Sequence, residues 1–335
     1  MSADFVWRDA GRTVVFRRDG VAQAPRLLVE HGFSSFRLVS TPRALAGAPE
    51  LVAAAAAVHE VGPGQVPDLA AALLGEVDSG PLVALGGGRP IDVAKAVASV
   101  SGARVAALPT TLSGAEMTGI HRLPAGAELG ASAMVRAELV IADPVAMASQ
   151  PEGALRASSM NALAHGADSL YTPFASPVSE MTALRGAELI ATSLDLDRAE
   201  RDPAPLALGS LLCGYAIDSG MFGLHHVVCQ TLVRVCGGSH AGTNAVILPR
   251  ALGLLVGRAP DRFAELAVAI ETDPGEIEAR TLQLGGNPAG LDAQGADRTR
   301  LDDALDSMLG RSELAFVPGP PITREDLAEL VEAAW

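Results

Sequence analysis

The stretch Leu82-Val83-Ala84-Leu85-Gly86-Gly87-Gly88-Arg89-Pro90-Ile91-Asp92, running on through Lys95, decides how the first half of this chain folds. Its apolar start reads as a buried strand, its three glycines as a tight turn, and the segment from Pro90 onward as a helix with proline in the first turn. Glycines let a ligand approach the backbone, and the free N–H groups of a helix N-terminus attract anions. The stretch therefore reads as a phosphate cradle, with a plain turn as the alternative. It is not a Walker loop, because no Gly-Lys-Ser/Thr follows at the required spacing, and it is not the usual GxGxxG.

Outward from this point, β-rich runs alternate with Ala/Leu-rich helical segments. Strands are expected at residues 13–16, 36–40, 57–61, 82–85, 105–108 and 139–142, and helices at 42–56 and 67–77. That alternation predicts a parallel, Rossmann-like sheet. Beyond Asp143-Pro144 and Gln150-Pro151 the pattern becomes helical, at 154–171, 177–194, 205–229 and 260–270. The expected division is an α/β dinucleotide-binding domain at 1–150 and a helical catalytic domain at 151–335. The Gly- and Asn-rich segment 284–295 is expected to be a surface loop.

Composition narrows the function classes. A chain of 335 residues with 49% apolar content has ample material for two cores, which excludes intrinsic disorder. A net charge of −14 argues against a broad surface for nucleic acid or anionic lipid. The first residues lack the pattern of a secretion signal and no run approaches the length of a membrane span, so a cytoplasmic protein is expected. Cys213, Cys229 and Cys236 have no CxxC spacing and read as core residues. Lys95 is the single lysine among 25 basic residues, and an ammonium is not interchangeable with a guanidinium at a phosphate or catalytic site.

Two further clusters could carry chemistry. Leu108-Pro109-Thr110-Thr111-Leu112-Ser113-Gly114-Ala115-Glu116 follows a strand, and its hydroxyls could meet phosphate or ribose oxygens or simply form a turn with Ser113 as a helix cap. In the helical half, Asn161 and His165 stand four residues apart on one helix face, as do His226 and Gln230 on another, and His240 follows Gly237-Gly238-Ser239. His225 reads as structural.

Together these clusters resemble the iron-containing alcohol dehydrogenase superfamily, and most closely its maleylacetate reductase branch. The matching pieces are Gly86-Gly87-Gly88 with Asp92 and Lys95, Pro109-Thr110-Thr111 with Gly114 and Glu116, and the segment from Ala157 through Asn161 to His165. They continue with Gly223-Leu224-His225-His226, His240 with Thr243-Asn244-Ala245, and Ile322-Thr323-Arg324-Glu325. The resemblance covers nearly the whole chain and implies the dehydroquinate synthase-like fold, with the active site in a cleft between the two domains. It implies hydride transfer with NAD or NADP, held by Ser40, Gly87, Gly88, Arg89, Asp92, Lys95, Thr110, Thr111 and Ser113, with Ser40-Thr41-Pro42 offering no acid to reject a 2′-phosphate. Metal-dependent members bind iron or zinc through one Asp and three His, and the matching positions here are Asn161, His165, His226 and His240. A neutral amide is a weaker ligand than carboxylate, so a metal-free site is expected, with three-histidine zinc as the alternative. His165, His226 and His240 are the expected proton donors, with Asn161 and Gln230 beside them. Gln230 stands where the family has histidine and cannot shuttle a proton.

The resemblance implies a small-molecule substrate. The leading expectation is reduction of maleylacetate to 3-oxoadipate, which asks for basic groups near two carboxylates, with Arg89, Arg234 and Arg250 as candidates. The alternatives are oxidation of a secondary alcohol, carrier- or peptide-linked, in a specialised pathway, and a catalytically degraded binding subunit. A homodimer is expected because family members commonly form one.

Overall fold

The computed structural model describes residues 5–9, 11–77, 80–127 and 134–335, and the chain divides into two compact units, Met1–Gln150 and Pro151–Trp335.

The first unit holds a seven-stranded sheet. Its strands are β1 (Phe5–Asp9), β2 (Arg12–Phe16), β3 (Arg37–Ser40), β4 (Ala57–Glu60), β5 (Leu82–Gly86), β6 (Val105–Pro109) and β7 (Leu139–Ala142), in the order β1-β2-β7-β6-β5-β3-β4. From β2 to β4 every pairing is parallel, and β1 alone runs antiparallel, at the edge. All six strands expected from the sequence form. β1 was not anticipated, since Phe5-Val6-Trp7-Arg8-Asp9 carries little β-branched patterning. β5, β6 and β7 are buried at every position, as a parallel sheet covered on both faces requires.

Helices α1 (Gly20–Glu30), α2 (Pro42–Ala46), α3 (Pro49–Ala54), α4 (Val66–Leu74), α5 (Gly88–Ser101) and α6 (Pro144–Met147) connect the strands. The single helix expected at 42–56 is two, because Gly47-Ala48 precede Pro49 and the residue before proline is driven out of the helical region. Chain order reverses between β3 and β5, so β3 leads outward to β4 on one side while β5, β6 and β7 build on the other. Parallel register brings the ends of β3, β5, β6 and β7 to one edge of the sheet, where ligands of such folds bind.

The second unit is helical: α7 (Glu152–Ser169), α8 (Pro177–Asp195), α9 (Pro203–Gly220), α10 (Leu224–Val235), α11 (His240–Arg258), α12 (Pro260–Ala269), α13 (Ile277–Leu284), α14 (Leu301–Leu309) and α15 (Arg324–Glu332). α8 and α9 pack so closely that a Cβ on Gly186 would lie 2.8 Å from the Gly209 carbonyl oxygen. The helix expected at 205–229 breaks instead at Met221-Phe222-Gly223, where Met221 takes a left-handed φ of 60°. α9 and α10 are bent by 96° at that break, which creates a new helix N-terminus inside the unit. Among the described residues no single helix is long and apolar enough to cross a membrane. Residues 284–295 are also more than a surface loop. Leu291 is buried and donates its N–H to the Ala334 carbonyl, while Gln294 accepts from Ser239 at the start of α11.

Candidate active site

In the first unit the reversal point opens into a cleft of about 650 Å³. Thr41 and Arg43 line it after β3, Leu85 and Gly87 at the end of β5, Thr110 and Thr111 after β6, and Asp143 after β7. Gly86 has a φ of 145°, and a Cβ there would lie 2.6 Å from Pro90 Cγ, so only glycine makes this turn into α5. At Gly87 a Cβ would come within 3.0 Å of Thr111 Cγ2 and 3.2 Å of its hydroxyl oxygen. That hydroxyl is buried and has no hydrogen-bond partner among the described residues. A backbone bare of side chain, an unspent hydroxyl and the N-terminus of α5 fit the pyrophosphate and ribose of a dinucleotide. Gly87, Thr110 and Thr111 are the expected cofactor residues that line the cleft.

The other expected cofactor residues do not line the cleft, and several of them make contacts within the fold. Ser40 is buried and its hydroxyl donates to the Leu85 carbonyl at 2.7 Å, joining β3 to β5 at the reversal point. Gly88 opens α5 next to the cradle but is not among the cleft-lining residues, and the same holds for Ser113, which packs against Gly88. Arg89 is exposed and its guanidinium reaches the Gly62 carbonyl at 3.4 Å. Lys95 is fully buried, and its ammonium is spent on the carbonyls of Ala115, Thr118 and Ile120 at 3.0, 3.1 and 3.3 Å and on Asp92 at 2.9 Å. Lys95 and Asp92 therefore fasten the segment that follows Thr110-Thr111 and leave no charge for a phosphate. Glu116 lies in the same buried cluster with neither carboxylate oxygen hydrogen-bonded among the described residues, and burial raises its pKa from 4.5 to about 7.

In the second unit α7 places Asn161, His165 and Asp168 on one face, all buried. Asp168 reaches the new N-terminus of α10, where it accepts the backbone N–H groups of Gly223, His225 and His226 at 3.0, 3.4 and 3.2 Å. It also accepts the Tyr171 hydroxyl at 2.8 Å and faces His226 Nδ1 at 2.8 Å. These partners outweigh its desolvation and hold its pKa well below the usual carboxylate range. Gly223 cannot carry a side chain here, since a Cβ would fall 2.1 Å from the Tyr171 hydroxyl.

Asp168 fixes the tautomer of His226. Nδ1 holds the proton and donates it to the carboxylate, leaving Nε2 buried without a partner among the described residues. His165 stacks on His226 with ring centroids 4.9 Å apart and planes at 18°. Burial, then the neighbouring His226, push the His165 pKa well below 6.5, so this ring is neutral. The Asn161 amide faces His165 Nε2 at 3.5 Å, and His165 Nδ1 has no hydrogen-bond partner among the described residues. The pair thus offers two unspent ring nitrogens. His225 is a core residue, with Nε2 at 3.3 Å from the Asn244 carbonyl and its pKa lowered to about 3 by burial.

His240 is exposed at the first position of α11. It lies near enough for its charge to depress His165, yet among the described residues His165, His226 and His240 do not form a group whose ring nitrogens all lie within 4.8 Å of one another. The group that does converge is Asp168, His225 and His226. Asp168 is committed to His226 Nδ1 and to three backbone N–H groups there, and all three side chains are buried. Neither grouping is set to hold a divalent ion as placed: the three histidines of the first do not converge and its fourth member is a neutral amide, and the second has its carboxylate already committed.

Residues 156–335 match the model of the Fe-containing alcohol dehydrogenase family, C-terminal. The chain belongs to that family. It is thereby an NAD(P)-dependent oxidoreductase. Maleylacetate reductase 1 of Rhodococcus opacus is 32% identical over 288 residues, covering 84% of this chain and 79% of that protein. Among solved structures, a putative alcohol dehydrogenase of Ralstonia eutropha JMP134 superposes with a TM-score of 0.85 at 28% identity, covering 99% of this chain and 97% of the other. Maleylacetate reductase of Rhizobium sp. strain MTP-10005 superposes with a TM-score of 0.83 at 25% identity, covering 100% and 99%.

Asp168, Tyr171 and Arg43 escaped sequence reasoning. Asp168 carried a usable signal, because it lies three residues after His165 and therefore on the same helix face.

Proposed function

We propose that this family member reduces the carbon–carbon double bond of an unsaturated oxo-dicarboxylate, maleylacetate to 3-oxoadipate, without a bound divalent metal. The observation that carries the reading is the buried Asp168–His226 pair stacked on neutral His165. A ring held through Nδ1 by a carboxylate is fixed in tautomer and orientation, with Nε2 left to exchange a proton with the substrate. Asn161 in place of a carboxylate, and the commitment of Asp168 to His226 Nδ1 and to backbone N–H groups, support operation without a Lewis acid.

The nicotinamide, when bound, supplies hydride. Gly87, Thr110, Thr111 and the N-terminus of α5 hold the dinucleotide. His165 donates an Nδ1–H hydrogen bond to the substrate carbonyl oxygen, where negative charge develops as the conjugated double bond accepts hydride. His226 returns a proton from Nε2 to the substrate, so one hydride and one proton add across the double bond. Gln230 hydrogen-bonds without exchanging protons, and the proton path runs through His226. The maleylacetate reductases among the relatives support the choice of substrate.

The test is turnover with freshly prepared maleylacetate and each reduced nucleotide, with the product identified by mass spectrometry. Consumption of one nucleotide per 3-oxoadipate formed is expected. Failure of folded, nucleotide-binding protein to turn over would transfer the assignment to secondary-alcohol oxidation, the second reading that Gln230 favours.

A further inference from the structure

Recognition of an acid requires a cation beside the imidazole pair, and the arginines nearest the sequence motifs do not provide it. Arg89 reaches the Gly62 carbonyl, Arg234 donates to Ser307 at 2.6 Å, and Arg250 is paired with Glu278.

Arg311, which follows α14, is differently placed. Its Nε and Nη2 hold Glu313 at 3.1 and 2.9 Å, and Nη2 also lies 3.4 Å from Gln230 Oε1. The guanidinium carbon stands 5.8 Å from the centre of the Phe222 ring, and that ring is 6.1 Å from the ring of His226. Gln230 is one helical turn beyond His226, about 6 Å along the axis of α10, a span that a short-chain acid covers. Arg311 is only half-buried, and its Nη1 has no hydrogen-bond partner among the described residues. A guanidinium locked along one edge by a carboxylate, with Nη1 unspent and Nη2 only loosely held by a neutral amide, is oriented to meet a second carboxylate.

We propose that Arg311 is the specificity-determining residue of this site, taking a carboxylate of the substrate through Nη1, with the long Nη2 contact to Gln230 yielding to the second carboxylate oxygen. Gln230 is a neutral amide and places no competing cation beside the guanidinium. The assignment rests on the reading that His226 marks the reacting end of the substrate, and it makes that substrate an anion.

Three variants test it: Arg311→Met, Arg311→Lys and Glu313→Gln. Thermal melts and NADPH fluorescence titrations verify that each folds and binds nucleotide. Losing a charge-assisted hydrogen bond to a carboxylate should raise the KM for maleylacetate by about 30-fold in Arg311→Met, with kcat moving far less. Arg311→Lys should recover part of that loss, and Glu313→Gln should lower KM several-fold because the guanidinium is no longer shared. The neutral dimethyl ester should show none of these changes. An unchanged KM in folded Arg311→Met, or an equal loss with acid and ester, would overturn the proposal. Absence of maleylacetate turnover in the wild type would refute the proposed reaction, and the proposal about Arg311 would then be read from binding. Succinate, but not succinamide, should bind the wild-type NADPH complex and lose affinity in Arg311→Met, whereas equal binding to both proteins overturns it.

Discussion

Glu116→Gln isolates the cost of a buried carboxylate behind the dinucleotide cleft. Glu116 is fully buried, neither oxygen has a hydrogen-bond partner among the described residues, and burial moves its titration from 4.5 to about 7. A carboxyl whose folded pKa is raised stabilises the fold fully below its unfolded pKa and loses that contribution as pH rises through the folded value. The window is therefore from about 4.5 to 7. Between pH 5 and pH 8.5 the native protein should lose about 2–3 kcal/mol through this group alone. The glutamine variant does not titrate, so its stability relative to wild type should improve by that amount over the same interval. Any fixed cost of a buried amide is the same at both pH values and cancels, as do the buried histidines common to both proteins. Urea unfolding followed by circular dichroism at the two pH values measures the difference. A stability difference that does not change with pH would refute the reasoning and mean that Glu116 is ionised throughout or reached by water.

Lys95→Met should destabilise the first unit by about 2–4 kcal/mol in urea unfolding, because it strands one buried and two part-buried carbonyls and the half-buried Asp92; a loss below about 1 kcal/mol would show that the ammonium is not structural. Asp168→Asn should lower kcat by about 10–100-fold while nucleotide affinity stays within error, since His226 loses the partner that sets its tautomer; an equal kcat would remove His226 from proton transfer. Gly87→Ala should weaken nucleotide binding by about tenfold or more, read by fluorescence titration, because its methyl group meets Thr111 at 3.0 Å. His225 has a folded pKa lowered from 6.5 to about 3, so its contribution is present above 6.5 and lost as pH falls below it. Wild type should lose about 2 kcal/mol relative to His225→Gln between pH 7 and pH 5, and parallel pH profiles for the two proteins would contradict the assignment.

The sheet was legible because parallel strands buried on both faces are written as continuous apolar runs, and residues 105–108 and 139–142 need no partner to be recognised. The break between α9 and α10 was not legible, since Met221 and Phe222 continue an apolar helical pattern and only the folded unit reveals that Gly223 must pass against Tyr171. Lys95 shows a different limit. Its rarity marked it correctly as special, but a helix periodicity cannot say whether an ammonium points at a ligand or at three carbonyls twenty or more residues away. Asn161, His165 and His226 were found by spacing, while Asp168 and Arg311 became visible only when α10 and the segment after α14 were brought to them.

The proposed reaction rests on the imidazole pair of the second unit, rather than on a bound metal, for hydride addition to an unsaturated oxo-acid. Turnover of maleylacetate should be measured by loss of reduced-nicotinamide absorbance after exhaustive chelation, with zinc and ferrous iron then added back separately. The rate should be the same before chelation, after it and after either metal is restored. Loss of activity on chelation that one metal restores would contradict that reading.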